Sequence, residues 1–346
     1  MSGPFSMGAQ LAASAARFGW FYGINRFVDY ETRRLGQHTD YRPKRPVPGR
    51  PELMGALASL FLADAEAVRQ GQYPPMDAEP GFVGSHLGRL RAMLDDLPGA
   101  LARRASEEAS SVRAEPAAAD MPDYYMQDFH FQTGGYLSAL SARLYDVQVE
   151  TLFYGAGNAM RRAALPAIAA AISGRDQRRL SLLDVACGTG RFVRQIRLAW
   201  PALGLTGLDL SEAYLAEAAR HMAGVRPARL IQANAEAMPL PDASQDIATV
   251  IFLFHELPPQ VRRGVIAEVA RVLKPGGLLV FVDSLQMGDR PGWDGLLEAF
   301  PVRFHEPYFR SYAIEDLDAV FDAAGLEAES RSLAFLSKVM VRRRVP

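Results

Sequence analysis

The sequence predicts an α/β fold: a doubly wound, seven-stranded, mostly parallel sheet with an N-terminal helical extension. Three observations carry that expectation. Short apolar runs of strand length recur through the second half of the 346-residue chain, helical stretches separate them, and a glycine-rich turn follows the first run.

The extension comes first. From Gly8 to about Arg34 the chain is Ala-rich and then aromatic, through Phe18, Trp20, Phe21, Tyr22 and Phe27, which suits one or two amphipathic helices. Tyr41 to Pro51 carries four prolines in eleven residues and must be an extended connector. Glu52 to Gln70 reads as a helix with Leu53, Leu57, Leu60, Phe61 and Val68 on one side, ended by Gly71 to Pro75. A further helix is expected from His86 to Leu97. The Ala-, Ser- and Glu-rich stretch Ala105 to Pro122 is the expected linker, so residues 1–120 form a helical region and 121–346 a second unit of about 225 residues.

In that second unit Leu180–Ala186, Leu203–Asp209, Arg229–Ala233, Asp246–Phe254 and Gly277–Asp283 are the expected strands. Helices fall between them at Arg191–Trp200, Glu212–Met222 and Pro259–Leu273. Leu326 to Arg343 has no room for a crossover helix, so its two apolar runs should close the sheet as an antiparallel hairpin.

Composition excludes several classes. One cysteine, Cys187, allows neither an internal disulfide nor a Cys-based zinc site and points to a reducing compartment. A net charge of −1, from 38 basic and 39 acidic residues, gives no whole-chain field to concentrate nucleic acid. The most apolar stretch, Ile247–Phe254, falls far short of the roughly 18 residues a membrane span needs. With no signal-type segment at the N-terminus either, the expected location is the cytoplasm.

In a doubly wound sheet the ligand lies beyond the carboxyl ends of the strands, where the strand order reverses. There the chain reads Asp184-Val-Ala-Cys-Gly188-Thr-Gly190. Two glycines one residue apart allow a tight turn and a close ligand approach, but a third glycine, expected in a dinucleotide site at position 193, is replaced by Val193. Asp184 would repel a pyrophosphate and favour a cationic ligand. Asp209, at the end of the second strand, can accept from both hydroxyls of a ribose. The ligand implied has an adenosine-like ribose and a cationic end.

These residues resemble a class I S-adenosylmethionine-dependent methyltransferase. The resemblance runs through Leu182–Gly190, Gly207-Leu-Asp-Leu-Ser211, Asn234-Ala-Glu-Ala-Met-Pro-Leu-Pro-Asp242 and Arg271-Val-Leu-Lys-Pro-Gly-Gly277, and its Asn-Ala-Glu motif is similar to ubiquinone and menaquinone C-methyltransferases. It implies a Rossmann-like methyltransferase domain over 121–346 and S-adenosylmethionine as cofactor. By the same resemblance Asp184, Ala186, Gly188 and Gly190 hold the methionine end, Asp209 binds the ribose, and Leu210, Asn234 and Ala235 meet the adenine. Phe254 and Tyr145 complete the set, the latter from a Tyr145-Asp146 pair that resembles the family's lid helix.

A phenol, enol or quinol carbon acceptor must lose a proton, so His255 and Glu256, which end the fourth strand, are acid/base candidates; the alternative is that His255 packs and Glu256 caps. The aromatic insertion Ser284–Tyr312 either covers a lipophilic acceptor or fills core, and His305 and Tyr308 within it form a second candidate pair. His130, in an aromatic segment from Tyr124 to Gly135, is read as a structural histidine or a pocket residue. The expected reaction is in-line methyl transfer to a hydrophobic or aromatic small molecule of quinol, polyketide or lipid type, in a bacterial enzyme without a metal.

Two other readings are weighed. A nucleic-acid methyltransferase could grip RNA through Arg42, Lys44, Arg45 and Arg50, against which the neutral charge argues; a cofactor-binding protein without methyl transfer is the other. The N-terminal region could serve as a cap, a homodimer arm or a peripheral attachment to the inner membrane surface. Cys187, inside the cofactor loop, is expected to be open to thiol modification.

Overall fold

The computed structural model describes residues 5–35, 41–76, 82–106 and 108–346. Helices α1 (Phe5–Arg34), α2 (Arg50–Arg69) and α3 (Phe82–Ser106) form the N-terminal region, followed by short 3-10 turns and then α4 (Ala139–Leu152), α5 (Gly157–Arg162) and α6 (Leu165–Ile172). The sheet unit runs β1 (Ser181–Val185), α7 (Arg191–Ala199), β2 (Gly204–Asp209), α8 (Glu212–His221), β3 (Arg229–Gln232), β4 (Gln245–Ile251), α9 (Pro259–Val272) and β5 (Leu273–Ser284). Helices α10 (Asp294–Arg303), α11 (Phe309–Tyr312) and α12 (Leu317–Ala323) precede the hairpin β6 (Leu326–Ala334) and β7 (Ser337–Arg344).

The seven strands lie in the order β3-β2-β1-β4-β5-β7-β6, parallel except for β7, which pairs antiparallel with both β5 and β6. Burial follows position. Strands β1 and β4 are buried along nearly their whole length, as near-continuous apolar sequence requires when both faces are covered, whereas the edge strand β6 is exposed at seven of nine residues and carries Glu327, Glu329 and Arg331. The order reverses between β1 and β4, which opens a crevice at their carboxyl ends.

The N-terminal region is not a separate body. Ala56, Leu57, Leu60, Phe61 and Val68 of α2 lie in one continuous core with β1, β4 and β5. Asp64 of the same helix forms an ion pair with Arg162 of α5 at 2.7 Å, both side chains at most 3 % exposed, and Tyr73 donates to the same carboxylate. Helix α1 is one continuous element, with Trp20, Phe27 and Tyr30 on its exposed side. Among the described residues no helix is long and apolar enough to cross a membrane.

The expected linker is folded instead. The residues after α3 form 3-10 turns with Val112 fully buried, because the Asp128 carboxylate accepts the backbone N–H groups of Ser111 and Val112 at 2.7 and 2.8 Å. Helix α3 also outruns its expected end and passes through Pro98 to Ser106.

Candidate active site

The chain reverses direction after β1 in three residues with positive φ: Ala186 at 54°, Gly188 at 55° and Gly190 at 73°. The two glycines serve different ends. A side chain on Gly188 would meet nothing nearer than a Tyr214 ring carbon at 4.0 Å, so its backbone is open to a ligand; one on Gly190 would lie 2.7 Å from the Ala218 Cβ. Gly190 therefore sets the approach of the turn to α8.

Above this turn lies a cleft of about 730 Å³ including its open mouth, lined by Ala186, Gly188, Asp209, Leu210, Asn234 and Ala235 on one side. Tyrosines 124, 125, 136, 145 and 214 form the facing wall, with Phe252, Leu253 and Glu256 completing it. A recess of the same cleft, sharing Tyr145, Ala186, Gly188 and Phe252, reaches Asp184, Thr189, Arg161 and Arg191. The expected cofactor residues thus converge, apart from Gly190 and Phe254.

Asp209 is fixed by the backbone around it. The N–H of Gly188 donates to its Oδ2 at 2.7 Å and that of Ser211 to its Oδ1 at 2.9 Å. Burial nevertheless pushes its pKa up to about 6, because these donors offset only part of the desolvation and Glu256 adds like charge. Asp184 is raised to about 7, again by burial, with the Thr249 hydroxyl donating at 2.6 Å and Asp209 opposing ionisation. Asn234 turns inward: its side-chain carbonyl accepts the Glu236 N–H at 2.8 Å, and Glu236 in turn accepts from the Tyr124 hydroxyl at 3.0 Å.

Helix α4 covers the turn. Tyr145 faces the cleft, and on the next residue Asp146 takes the Thr189 hydroxyl at 2.9 Å and the Arg191 guanidinium at 2.9 Å. Ser138 caps this helix by accepting the Ser141 N–H. Arg161, buried and stacked over Phe252 with its guanidinium carbon 5.7 Å from the ring centre, places a cation in the Asp184 recess.

Four expected acid/base groups separate. Glu256 lines the cleft, where its Oε1 accepts from the Tyr136 hydroxyl. His255 lies behind it against Phe309 and Tyr312; its Nδ1 sits 2.6 Å from Asp283 Oδ1 and its Nε2 3.7 Å from Glu256 Oε1. Burial alone would lower the His255 pKa, but the Asp283 and Glu256 carboxylates win and raise it to about 9. His305 and Tyr308 do not face the cleft. The first contacts Gln127 and packs on Phe131, and the second donates to the Tyr124 carbonyl at 3.4 Å.

Phe254 is also corrected. Strand β4 ends at Ile251 and Phe252 takes φ 56°, so the chain turns and Phe254 is driven into the core against Phe281 and Phe321. Among the described residues none of the insertion aromatics lines the cleft; Trp293, Phe309 and Tyr312 are buried core. Cys187 lines the recess beside Asp184 but exposes little of itself. It is 8 % exposed, its Sγ packs against Gly207, and burial raises its pKa well above that of a free thiol.

Sequence reasoning missed Arg161 and, Tyr145 apart, the tyrosine wall. A signal existed in the Tyr124–Tyr136 segment, but nothing local says that it folds over the sheet and not beside it. Of the basic residues considered for RNA, Arg45 lies 3.4 Å from Asp294, and Arg50 reaches the Tyr22 hydroxyl at 3.3 Å.

Residues 182–277 match the family model for a methyltransferase domain. Over 166 residues the chain is 37 % identical to ubiquinone/menaquinone biosynthesis C-methyltransferase UbiE of Methylobacterium nodulans, covering 47 % of this chain and 63 % of that protein. It is 34 % identical over 141 residues to demethylmenaquinone methyltransferase of Listeria welshimeri, covering 40 % and 58 %. The chain spans about three fifths of the length of these curated relatives. A solved S-adenosylmethionine-dependent methyltransferase from Aquifex aeolicus aligns over 48 % of this chain and 82 % of its own, at 19 % identity and a TM-score of 0.38.

Proposed function

We propose that this chain, which carries a class I S-adenosylmethionine-dependent methyltransferase domain, transfers a methyl group to a hydrophobic aromatic small molecule of quinol type. One observation carries the reading: a single cleft joins Asp209 and the Gly188 turn, a floor suited to a ribose and a cation, to a wall of five tyrosines. The curated relatives named for demethylmenaquinone and ubiquinone supply the acceptor class.

The bound cofactor supplies an electrophilic methyl on a sulfonium, which an acceptor displaces in line. The residues present fit such a group. Asp209, already oriented by two backbone donors, has remaining lone pairs for the ribose hydroxyls. Arg161 is a cation suited to the amino-acid carboxylate, and buried Asp184 lies in the same recess to balance its ammonium. Tyrosine faces attract the sulfonium charge and offer flat surface to an aromatic ring. Catalysis of a displacement is largely alignment, and the cleft would hold acceptor and methyl within its walls. Glu256 is the acid/base candidate on that wall, placed to receive a proton leaving an acceptor.

Calorimetry with S-adenosylmethionine and mass analysis of a demethylquinol incubated with the chain test the reading. We expect binding in the wild type, at least about tenfold weaker binding in Asp209→Ala, and a product heavier by one methyl group. Absence of cofactor binding by the folded wild type would overturn it.

A further inference from the structure

Next to the cleft three segments distant in sequence bring together His130, Glu256 and Glu306. One ligand atom from each, an imidazole nitrogen and two carboxylate oxygens, lies within 4.8 Å of the other two. His130 Nε2 is 3.0 Å from Glu306 Oε1 and 3.8 Å from Glu256 Oε1. The Glu306 side chain is fully buried, yet neither of its oxygens accepts a hydrogen bond; the 3.0 Å approach to His130 lacks hydrogen-bonding geometry.

A buried carboxylate with no donor is costly unless something else satisfies it. Around Glu306 the surroundings supply only His130, whose pKa, against its burial, the Glu306 and Glu256 carboxylates raise to about 10; His255, 3.7 Å from Glu256 Oε1, is already paired with Asp283. Phe300 and Phe304 set their rings edge-on to His130, and the Tyr136 hydroxyl is directed at Glu256. Two carboxylates with a protonated imidazole leave a net negative charge in this low-dielectric corner. With a neutral imidazole and a dication the same set sums to zero. An imidazole with two carboxylates suits first-row divalent ions, since the nitrogen favours the Fe-to-Zn side of the series and the oxygens the Mn side.

We propose that His130, Glu256 and Glu306 bind a divalent first-row transition ion in the wall of the cleft. Glu256 is shared between the ion site and the cleft, so the ion would face the acceptor side and could receive an acceptor oxygen in an open coordination position. The binding claim stands apart from methyl transfer; only the acceptor contact rests on the proposed function.

The full chain, stripped with a chelator and dialysed, is titrated calorimetrically with ZnCl2 and with MnCl2, and its Co2+ complex is recorded by visible absorption. We expect one ion per chain for at least one of these metals, and binding weakened by at least about tenfold in Glu306→Gln and in His130→Asn. Far-ultraviolet circular dichroism and cofactor calorimetry run on each variant: retained cofactor binding with lost ion binding supports the site. No stoichiometric binding by the wild type, or unchanged affinity in both variants, overturns it and leaves a plain ion pair. Should Glu306→Gln fail to fold, His130→Asn decides. Failure of cofactor binding in the wild type with ion binding intact would count against the methyltransferase reading alone.

Discussion

Asp209 is held above its ordinary pKa in a cleft that would receive a cation, and the sign of the consequence can be worked out. A positively charged ligand, and hydroxyls donating to the carboxylate, both favour the ionised form, so the bound pKa is lower than the free value of about 6. Below that value binding must expel a proton. Cofactor affinity should therefore level off above about 7, fall by up to about tenfold per pH unit from there to about 6 as Asp184 takes a proton, and fall more steeply below about 6 as Asp209 follows. Calorimetry in matched buffers from about pH 5 to 8 checks this, and a flat profile would contradict the role of Asp209. This residue and Gly188 were legible because a strand end and a turn fix where a side chain goes. His305 and Tyr308 were not, since an irregular insertion assigns no face to its side chains: each turned to a neighbouring backbone or amide partner and away from the cleft.

The turn between β1 and α7 shows how one element divides its labour. Gly188 leaves space for a ligand, whereas Gly190 holds the α7 start against Ala218 of α8. Gly190→Ala places a methyl 2.7 Å from the Ala218 Cβ at φ +73°. The left-handed backbone costs about 1–2 kcal/mol and the overlap a further 1–3 kcal/mol. The variant should unfold several degrees below wild type in a thermal melt. Adding Ala218→Gly should restore little, because the Ala218 Cα, 2.9 Å from the same methyl, stays in place and glycine weakens the interior of α8 by about 1 kcal/mol; full recovery would mean that neither the left-handed backbone nor the backbone overlap is what destabilises. The strand and helix alternation that predicted this turn was legible from period alone. The end of β4 was not: its apolar run continues through Phe254, yet the strand stops at Ile251 because Phe252 adopts a left-handed conformation, and apolar sequence is equally consistent with a buried strand and a buried turn.

At the scale of the whole molecule the N-terminal region is bound to the sheet by core and charge together. Its helices were legible, since α2 carries its apolar residues on one side, but its docking was not. Asp64 in the sequence reads as an ordinary polar position of an amphipathic helix, and only the fold sets it against Arg162, with the Gln10 amide donating to it from α1 and the Tyr73 hydroxyl from beyond α2. Removing one partner of a buried pair strands the other charge, which typically costs about 3–5 kcal/mol. Asp64→Ala should therefore lower the denaturant midpoint of the entire protein. Because α2 shares its core with β1 and β4, tryptophan fluorescence and far-ultraviolet circular dichroism should report one coincident transition in wild type and variant. A variant in which an N-terminal transition separates from an unshifted second one would show that the helical region folds as its own unit. In that case the packing of α5 between α2 and the cleft, which places Arg161 beside Asp184 and Arg162 beneath Asp64, could not couple the helical region to the cofactor site; with a single transition, loss of the Asp64 pair should also weaken cofactor binding through the displaced Arg161.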